Sequence, residues 1–500
     1  MKEIKNTYGI LTDKWHSEIL TARCVKYPDI TIKTLQSIID VLKLNSVWND
    51  LVLNSSSATI YQTFEWLYNW WNYFAADRKN LLHVLLIFSS EKLVAIAPFY
   101  IKRYSFGGLK IYQLLKLIGS GLNSGQSNSN AVEEHGLSDY LDIIVLDGYE
   151  KKVADAVAAY LYEFKYFFNE IDFQNISEES FIFTRLLPLL DGEKFKIGVI
   201  KTDVCPRLKV PGSMENYLKS LRGGTRRKFR QIQKQTVTVQ NSLHDSKNSY
   251  TKIKDVNDAD FLHSLQILKQ LHQNRWNELG YLGLFSDKRF ENFIEHVGKT
   301  FYNKGWLWFK AVEFNNKIIA ARLAYKFENR IYDYLSGFDS SQHSASLRPG
   351  ITLIFIMIKD AVLNNFKTVD FLRGAEDYKF EMSSDTYSNY RISVSHSGSA
   401  SGLIMKLFYI MMLHIKFTFR IKTEIAMIKL HKEKHGKIMF LYPYLKFCLN
   451  RFKALAEKQK VKNYTARKIP VSKSKNDSPV HISRKNKSYH TRKMEEVGIR

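Results

Sequence analysis

The sequence predicts an α+β fold, on three observations. Residues 205–400 read in the order helix, helix, three closely spaced strands, helix, strand. The three strands are joined by two-residue polar turns, Asn315-Asn316 and Glu328-Asn329, so they pair as antiparallel hairpins and do not alternate with helices. Strand and helix patterns occur in both halves of a 500-residue chain, which is longer than one hydrophobic core ordinarily serves.

In the first half, LLHVLLIF (81–88) and KLVAIAPFYI (92–101) flank the short polar turn SSE and predict a hairpin. FEWLYNWW (64–71) spaces Trp66, Trp70 and Trp71 near helical intervals with Phe74, which predicts a helix in the first core. A Gly/Ser/Asn loop (119–130) precedes a buried strand, LDIIVLD (141–147). Val153, Val157, Leu161 and Phe164 give residues 149–166 one apolar helical face, and EIDFQNI (170–176) reads as a further strand before a short helix.

In the second half, 211–221 reads as a helix capped by Ser213, and GGTRRKFRQIQK continues into a basic helix capped by Thr225. Residues 256–279 form a long amphipathic helix, and a second follows with Ser286 as its cap. The strands are 306–314, 317–327 and 330–338. The helix 349–365 carries Pro349 in its first turn, where a missing N–H costs nothing, and the strand 367–373 closes the series.

Charge is unevenly distributed. Of the net +25, residues 401–500 hold +18. An anionic partner is expected for that region: a membrane surface or, as the weaker alternative, nucleic acid. On an ideal helical wheel Ile404, Leu407, Phe408, Met411, Met412, Ile415 and Phe419 form one stripe, with Lys406, Lys416 and Arg420 opposite. Such a helix either docks on the second domain or lies in a membrane interface. No apolar run reaches about 18 residues and the first residues hold no signal-peptide core, so no membrane span is expected. Cys24, Cys205 and Cys448 are far apart, which speaks against a disulfide framework and for a reducing compartment. Walker A, G-x-G-x-x-G, G-x-S-x-G and H-E-x-x-H patterns are all missing, so nucleotide-hydrolysing, dinucleotide, covalent-serine and metal chemistries find no support.

Several stretches carry ionisable groups in suggestive places. VDFLRGAEDYKF (369–380) puts Asp370, Glu376, Tyr378 and Lys379 directly after a core strand, which reads as a charged turn or as an active-site rim. SLRPGI (346–351) reads as a Pro-Gly helix start or as an anion loop. Arg226, Arg230 and Lys234 share one helical face, either solvated or an anion clamp. Trp276 beside Arg275 reads as a core tryptophan.

Seven segments, in order, resemble the GNAT-type acetyltransferase family named for the cellulose-biosynthesis protein CelD. They are FEWLYNWWNYF (64–74), KLVAIAPFY (92–100), SDYLDIIV (138–145), YLKSLRGGTRRKFRQ (217–231), RWNELGYLGLF (275–285), LRPGITLIFIMIKDAV (347–362) and VDFLRGAEDYKF. The resemblance spans about residues 60–380. It implies two GNAT-like units in tandem, 1–204 and then 205–400 as the acetyltransferase domain; charge and composition add a basic amphipathic extension (401–455) and a disordered basic tail (456–500). It further implies acetyl-CoA or another acyl-CoA as co-substrate, with no metal. Arg348, Gly350 and Ile351 would hold the CoA phosphates, although this loop has one glycine where the family usually has two. Asp370 or Glu376 would be the general base and Tyr378 the acid. Arg226, Arg227, Arg275, Asp139, Tyr140 and Lys379 would face the acceptor, expected to be a sugar or cell-envelope polysaccharide precursor. Aminoacyl-tRNA is the alternative donor, and a non-catalytic scaffold at the membrane surface is the alternative role. The expected location is cytoplasmic, peripheral on the inner face of the membrane.

Overall fold

The computed structural model describes residues 4–5, 10–12, 20–24, 26–76, 80–106, 109–121, 137–190, 195–241, 251–278, 283–340 and 348–396. The expected 403–420 helix and basic tail lie outside the described residues. In chain order the first strands are β1 (Ile4–Lys5), β2 (Ile10–Thr12), β3 (Leu20–Cys24), β4 (Ile30–Leu35), β5 (Asn80–Ser89), β6 (Lys92–Phe106), β7 (Leu109–Leu117), β8 (Ile144–Val145) and β9 (Glu170–Ser177). The rest are β10 (Phe195–Lys209), β11 (Thr251–Asp255), β12 (Leu307–Phe314), β13 (Lys317–Phe327), β14 (Arg330–Phe338), β15 (Thr368–Asp370) and β16 (Asp385–His396). They form one mixed, mostly antiparallel sheet in the order β1-β2-β3-β4-β5-β6-β7-β9-β16-β10-β15-β14-β13-β12-β11, with β8 on β6. Helices flank it, and the fold is α+β.

Two strand pairs are parallel, β7 with β9 and β14 with β15. A helix bridges each, Glu150–Glu163 in the first half and Pro349–Leu363 in the second. The sequence shows no repeat, yet the topology repeats. The halves meet through long strands. β10 leaves the first half, crosses positions 204–205, and pairs with both β16 and β15, while β16 returns from the far end of the second half to cover β9.

Alternation along β12–β14 divides the second half's core into two layers. Phe309, Leu323 and Tyr325 face the helices Phe261–Glu278 and Lys288–Asn303, whose Leu268, Phe293 and Phe301 are fully buried. Trp308, Ala324 and Ile331 face the helix Pro349–Leu363 through Ile354, Phe355 and Ile358. Gly337 is where helix Phe261–Glu278 crosses β14: a Cβ there would stand 2.6 Å from the His272 backbone nitrogen and 2.9 Å from the Leu268 carbonyl.

The tryptophan cluster divides between the halves. Trp70 and Trp71 pack on Tyr100 in the first half. Trp66 contacts Phe293, Phe301, Tyr325 and Tyr334 of the second, while its indole N–H donates to Ser138 Oγ at 2.7 Å. It therefore belongs to the junction between the halves and not to the first core alone. Ser213 caps its helix as expected, accepting from the Asn216 N–H. Two other expected caps differ. The basic helix starts at Gly223, which puts Thr225 inside it, donating to Glu381. The helix Lys288–Asn303 is capped by Asp287 and not Ser286, because Ser286 closes a preceding 3₁₀ turn.

Candidate active site

The parallel pairing of β14 and β15 is short. It runs from Arg330–Thr368 to Tyr332–Asp370 and stops. Beyond Asp370 the chain leaves β14 but stays on β10, its partner on the other side: Phe371 N–H donates to the Pro206 carbonyl at 3.0 Å and Gly374 N–H to the Val204 carbonyl at 3.1 Å. A wedge therefore opens between Asp333–Phe338 on one side and Phe371–Gly374 on the other. Helix Pro349–Leu363 starts beside it. Arg348, exposed and left-handed at φ 46°, precedes Pro349 at the N-terminus. An added Cβ on Gly350 would lie 3.0 Å from the Phe338 ring, so a larger residue would need that ring to shift. Ile351 N–H is already bonded to the Arg348 carbonyl at 3.1 Å.

The second rim is the segment that follows β15. Gly374 takes φ +133°, and a Cβ there would collide with Glu376 Oε2 and with Lys379 Nζ 2.6 Å away. The sharp turn delivers Glu376 to the start of the helix Asp377–Met382 with its carboxylate half exposed. Tyr378 is mostly buried against Arg322, whose guanidinium is clamped by both oxygens of Asp333. Burial pushes the Tyr378 hydroxyl up, and the Arg322 charge pulls it partly back. Arg275 lies opposite, its guanidinium 4.2 Å from the Phe338 ring centre. Burial lowers its pKa, and the charges of Tyr378, Glu278 and Glu376 partly offset this. It has no carboxylate at ion-pair distance among the described residues.

Beneath this rim lies a buried polar floor shared by both halves. Asp370 accepts from Tyr140 Oη at 2.9 Å, Arg207 Nε at 2.8 Å and the Leu372 N–H at 2.9 Å. Fully buried and with both oxygens engaged by three donors, it reads as an anchor and not as a general base open to substrate. Arg207 also reaches Glu179 at 2.9 Å and stacks on Tyr387 at 3.7 Å. Asp139 stands 3.2 Å from Arg373 Nε, but the angle is wrong for a hydrogen bond, and burial pushes its carboxyl up to about 6. Asn175 bridges Arg373 to the Ser138 carbonyl. Tyr140, Asn175 and Leu372 all adopt left-handed backbone conformations, at φ 57°, 58° and 57°. Such strain costs on the order of 1–3 kcal/mol per residue and persists only where the surroundings over-determine it.

Lys379 turns inward, donating to the Arg373 carbonyl at 2.7 Å and pairing with Glu376 at 3.1 Å, so it braces the loop. Arg226 caps the preceding helix through the Lys219 and Leu221 carbonyls, both at 2.9 Å, while Arg227 is exposed. Neither is brought to the wedge by any contact in the structure. Trp276 is exposed over about a third of its surface, with its N–H donating to His272 Nε2 at 3.0 Å, and is not a core residue. Arg322, Asp333 and Arg207 were not singled out by the sequence reading. Their signal was an arginine inside an otherwise apolar strand pattern. Among the described residues no cluster of three or more His, Cys, Asp or Glu could hold a metal, and no helix is long and apolar enough to cross a membrane.

No curated protein matches the chain in sequence. Among solved structures it is similar to FemX, at 12% identity and a TM-score of 0.47 over 69% of this chain and 95% of that one. It is also similar to L-PGS from Bacillus licheniformis (9%, TM-score 0.38, 72% and 94%) and to a tandem GNAT protein from the clavulanic acid biosynthesis pathway (8%, TM-score 0.35, 74% and 99%). Residues 219–380, which hold β11–β15 and both rims of the wedge, match the acetyltransferase (GNAT) domain family.

Proposed function

We propose that this chain is an acyltransferase that moves an acyl group from an acyl-CoA thioester to an amine or hydroxyl of an acidic sugar, such as a sugar nucleotide or cell-envelope polysaccharide precursor. The observation that carries the reading is the wedge between β14 and the chain after β15, with a helix N-terminus on one rim and Glu376 and Tyr378 on the other. The strand edge past Tyr332 and the Arg348–Ile351 turn suit an extended, phosphate-bearing thioester. The unpaired Arg275 suits an anionic acceptor.

In this reading Glu376 takes the proton of the attacking amine or hydroxyl, the new bond forms at the thioester carbonyl carbon, and the C–S bond breaks. Tyr378 gives its proton to the departing thiolate and regains one from solvent. Burial keeps Tyr378 protonated at neutral pH, and Arg322 holds it in place and stabilises the phenolate formed in passing. Asp370, Arg207 and Tyr140 position the rim without touching substrate.

The test is thiol release by the full chain from acetyl-CoA with a panel of phosphorylated and neutral amino sugars. Turnover should favour the anionic acceptors and fall at least about tenfold in Glu376→Gln and Tyr378→Phe. Unchanged turnover in both variants removes these residues from the mechanism. Transfer only from aminoacyl-tRNA, abolished by RNase, would replace the proposed donor.

A further inference from the structure

A cavity of about 400 Å³ opens at the other end of the second half, lined by β12–β14 and by the C-terminal end of helix Pro349–Leu363. Ile331, on its wall, is seven residues along β14 from Phe338, so the cavity lies about 20 Å from the end of the wedge where Phe338 meets the Arg348–Ile351 turn. Its size falls within the range of small-molecule sites, and its walls are mixed, with Trp308, Tyr302 and Phe366 beside charged side chains. Four charged side chains line it. Lys310 pairs with Asp360 at 2.9 Å, and Trp308 N–H donates to the same carboxylate at 2.9 Å. Lys310 also reaches Asp255, but that carboxylate is 79% exposed and solvent screens it. Lys326 is the exception. It is half-buried in the wall and has no hydrogen-bond or ion-pair partner for its ammonium among the described residues.

We propose that this cavity is a second ligand site, for a small organic anion with an apolar body and one carboxylate, whose charge Lys326 neutralises. Lys310 holds both Asp360 and Asp255, so among the described residues Lys326 is the cation of the walls that no carboxylate meets at ion-pair distance. Burial lowers the Lys326 pKa, outweighing the opposing charges of Asp360 and Asp255, with Lys310 adding to the fall. A bound carboxylate would reverse that penalty. The aromatic walls would take the apolar body, and Asp360, held by two donors, would exclude a second negative group.

The site is independent of the acyl-transfer reading, and its test does not use turnover. Isothermal titration of the full chain with indole-3-propionate should give saturable binding with a Kd below about 1 mM. The uncharged indole-3-propionamide and the variant Lys326→Met should each bind at least about tenfold more weakly, while Lys326→Arg stays within about threefold. Thermal melts of the three proteins check that the variants fold. Equal binding of acid and amide, equal binding by Lys326→Met, or no saturable heat with the wild-type chain would each overturn the proposal.

Discussion

Asp370→Asn tests whether this residue anchors the junction or performs chemistry. The substitution keeps the shape but removes the charge, and it turns an amide N–H₂ toward one of the donors that the carboxylate now accepts. If the amide oxygen keeps Tyr140 Oη and the Leu372 N–H, the nitrogen must face Arg207 Nε, donor against donor. Breaking a buried pair from one side costs about 3–5 kcal/mol. Arg207 keeps Glu179 and the Tyr387 ring, so the lower end, about 3 kcal/mol, is expected. For a folded unit of about 400 residues, with about 2.1 cal/mol/K of unfolding entropy per residue, that is a fall of about 4 °C in Tm. Scanning calorimetry with a parallel urea titration reads it. Replacing both partners by apolar residues, Arg207→Met with Asp370→Leu, should recover most of the loss, because no unpaired charge then remains buried. A Tm within about 1 °C of wild type in Asp370→Asn, accompanied by a turnover loss of a hundredfold or more, would refute the anchoring role and restore Asp370 as the base.

Gly337→Ala should destabilise by about 2–3 kcal/mol, seen as a lower urea midpoint, since the new methyl meets backbone atoms of helix Phe261–Glu278 that cannot rotate away. Arg322→Met should cost about 3–5 kcal/mol by leaving Asp333 buried and unpaired, and should raise the basic limb of the Tyr378 pH profile; a variant with unchanged stability and profile contradicts the clamp. Stability should also fall as the solution is acidified from pH 6.5 toward 4. His83 and His272 are held neutral by burial, each pushed down to about 4, so below 6.5 the unfolded chain binds protons that the folded one refuses. Each contributes about 2–3 kcal/mol of loss by pH 4.5, and a urea titration in which His83→Gln shows the wild-type pH slope would contradict its share.

The strand ends at the two tight turns of β12–β14 were legible in the sequence to the residue. β13 and β14 are apolar runs closed by the Asn315-Asn316 and Glu328-Asn329 turns, and the two asparagines are both left-handed, as a tight hairpin requires. The strands that join the halves were not. β10 carries Gly198 and Pro206, and β16 reads DTYSNYRISVSH, whose first half puts polar residues on both faces. Their stability comes from each other and from partners hundreds of residues away, which no local pattern records. The predicted strand 367–373 is only three residues long as a ladder, because after Asp370 the chain parts from β14 while keeping its bonds to β10. That parting opens the wedge, so the local misreading and the candidate site share one cause. Glu376 and Tyr378 were legible as a charged run after a core strand. Arg322 looked like part of an apolar run because its partner, Asp333, lies on the neighbouring strand.

The interleaving of β10 and β16 also has a temporal side. β9 is finished once residue 177 has been made, yet the strand that covers its open edge is drawn from residues 385–396. At a synthesis rate of about 5–20 residues per second, the first half must wait roughly 10–40 seconds on the ribosome with that edge bare. A chain interrupted anywhere in that interval leaves an unprotected strand, open to pairing with another nascent copy. The last described strand is thus what ends the vulnerable period of the first half, and truncations within it should aggregate during synthesis even where the second half's own core is complete.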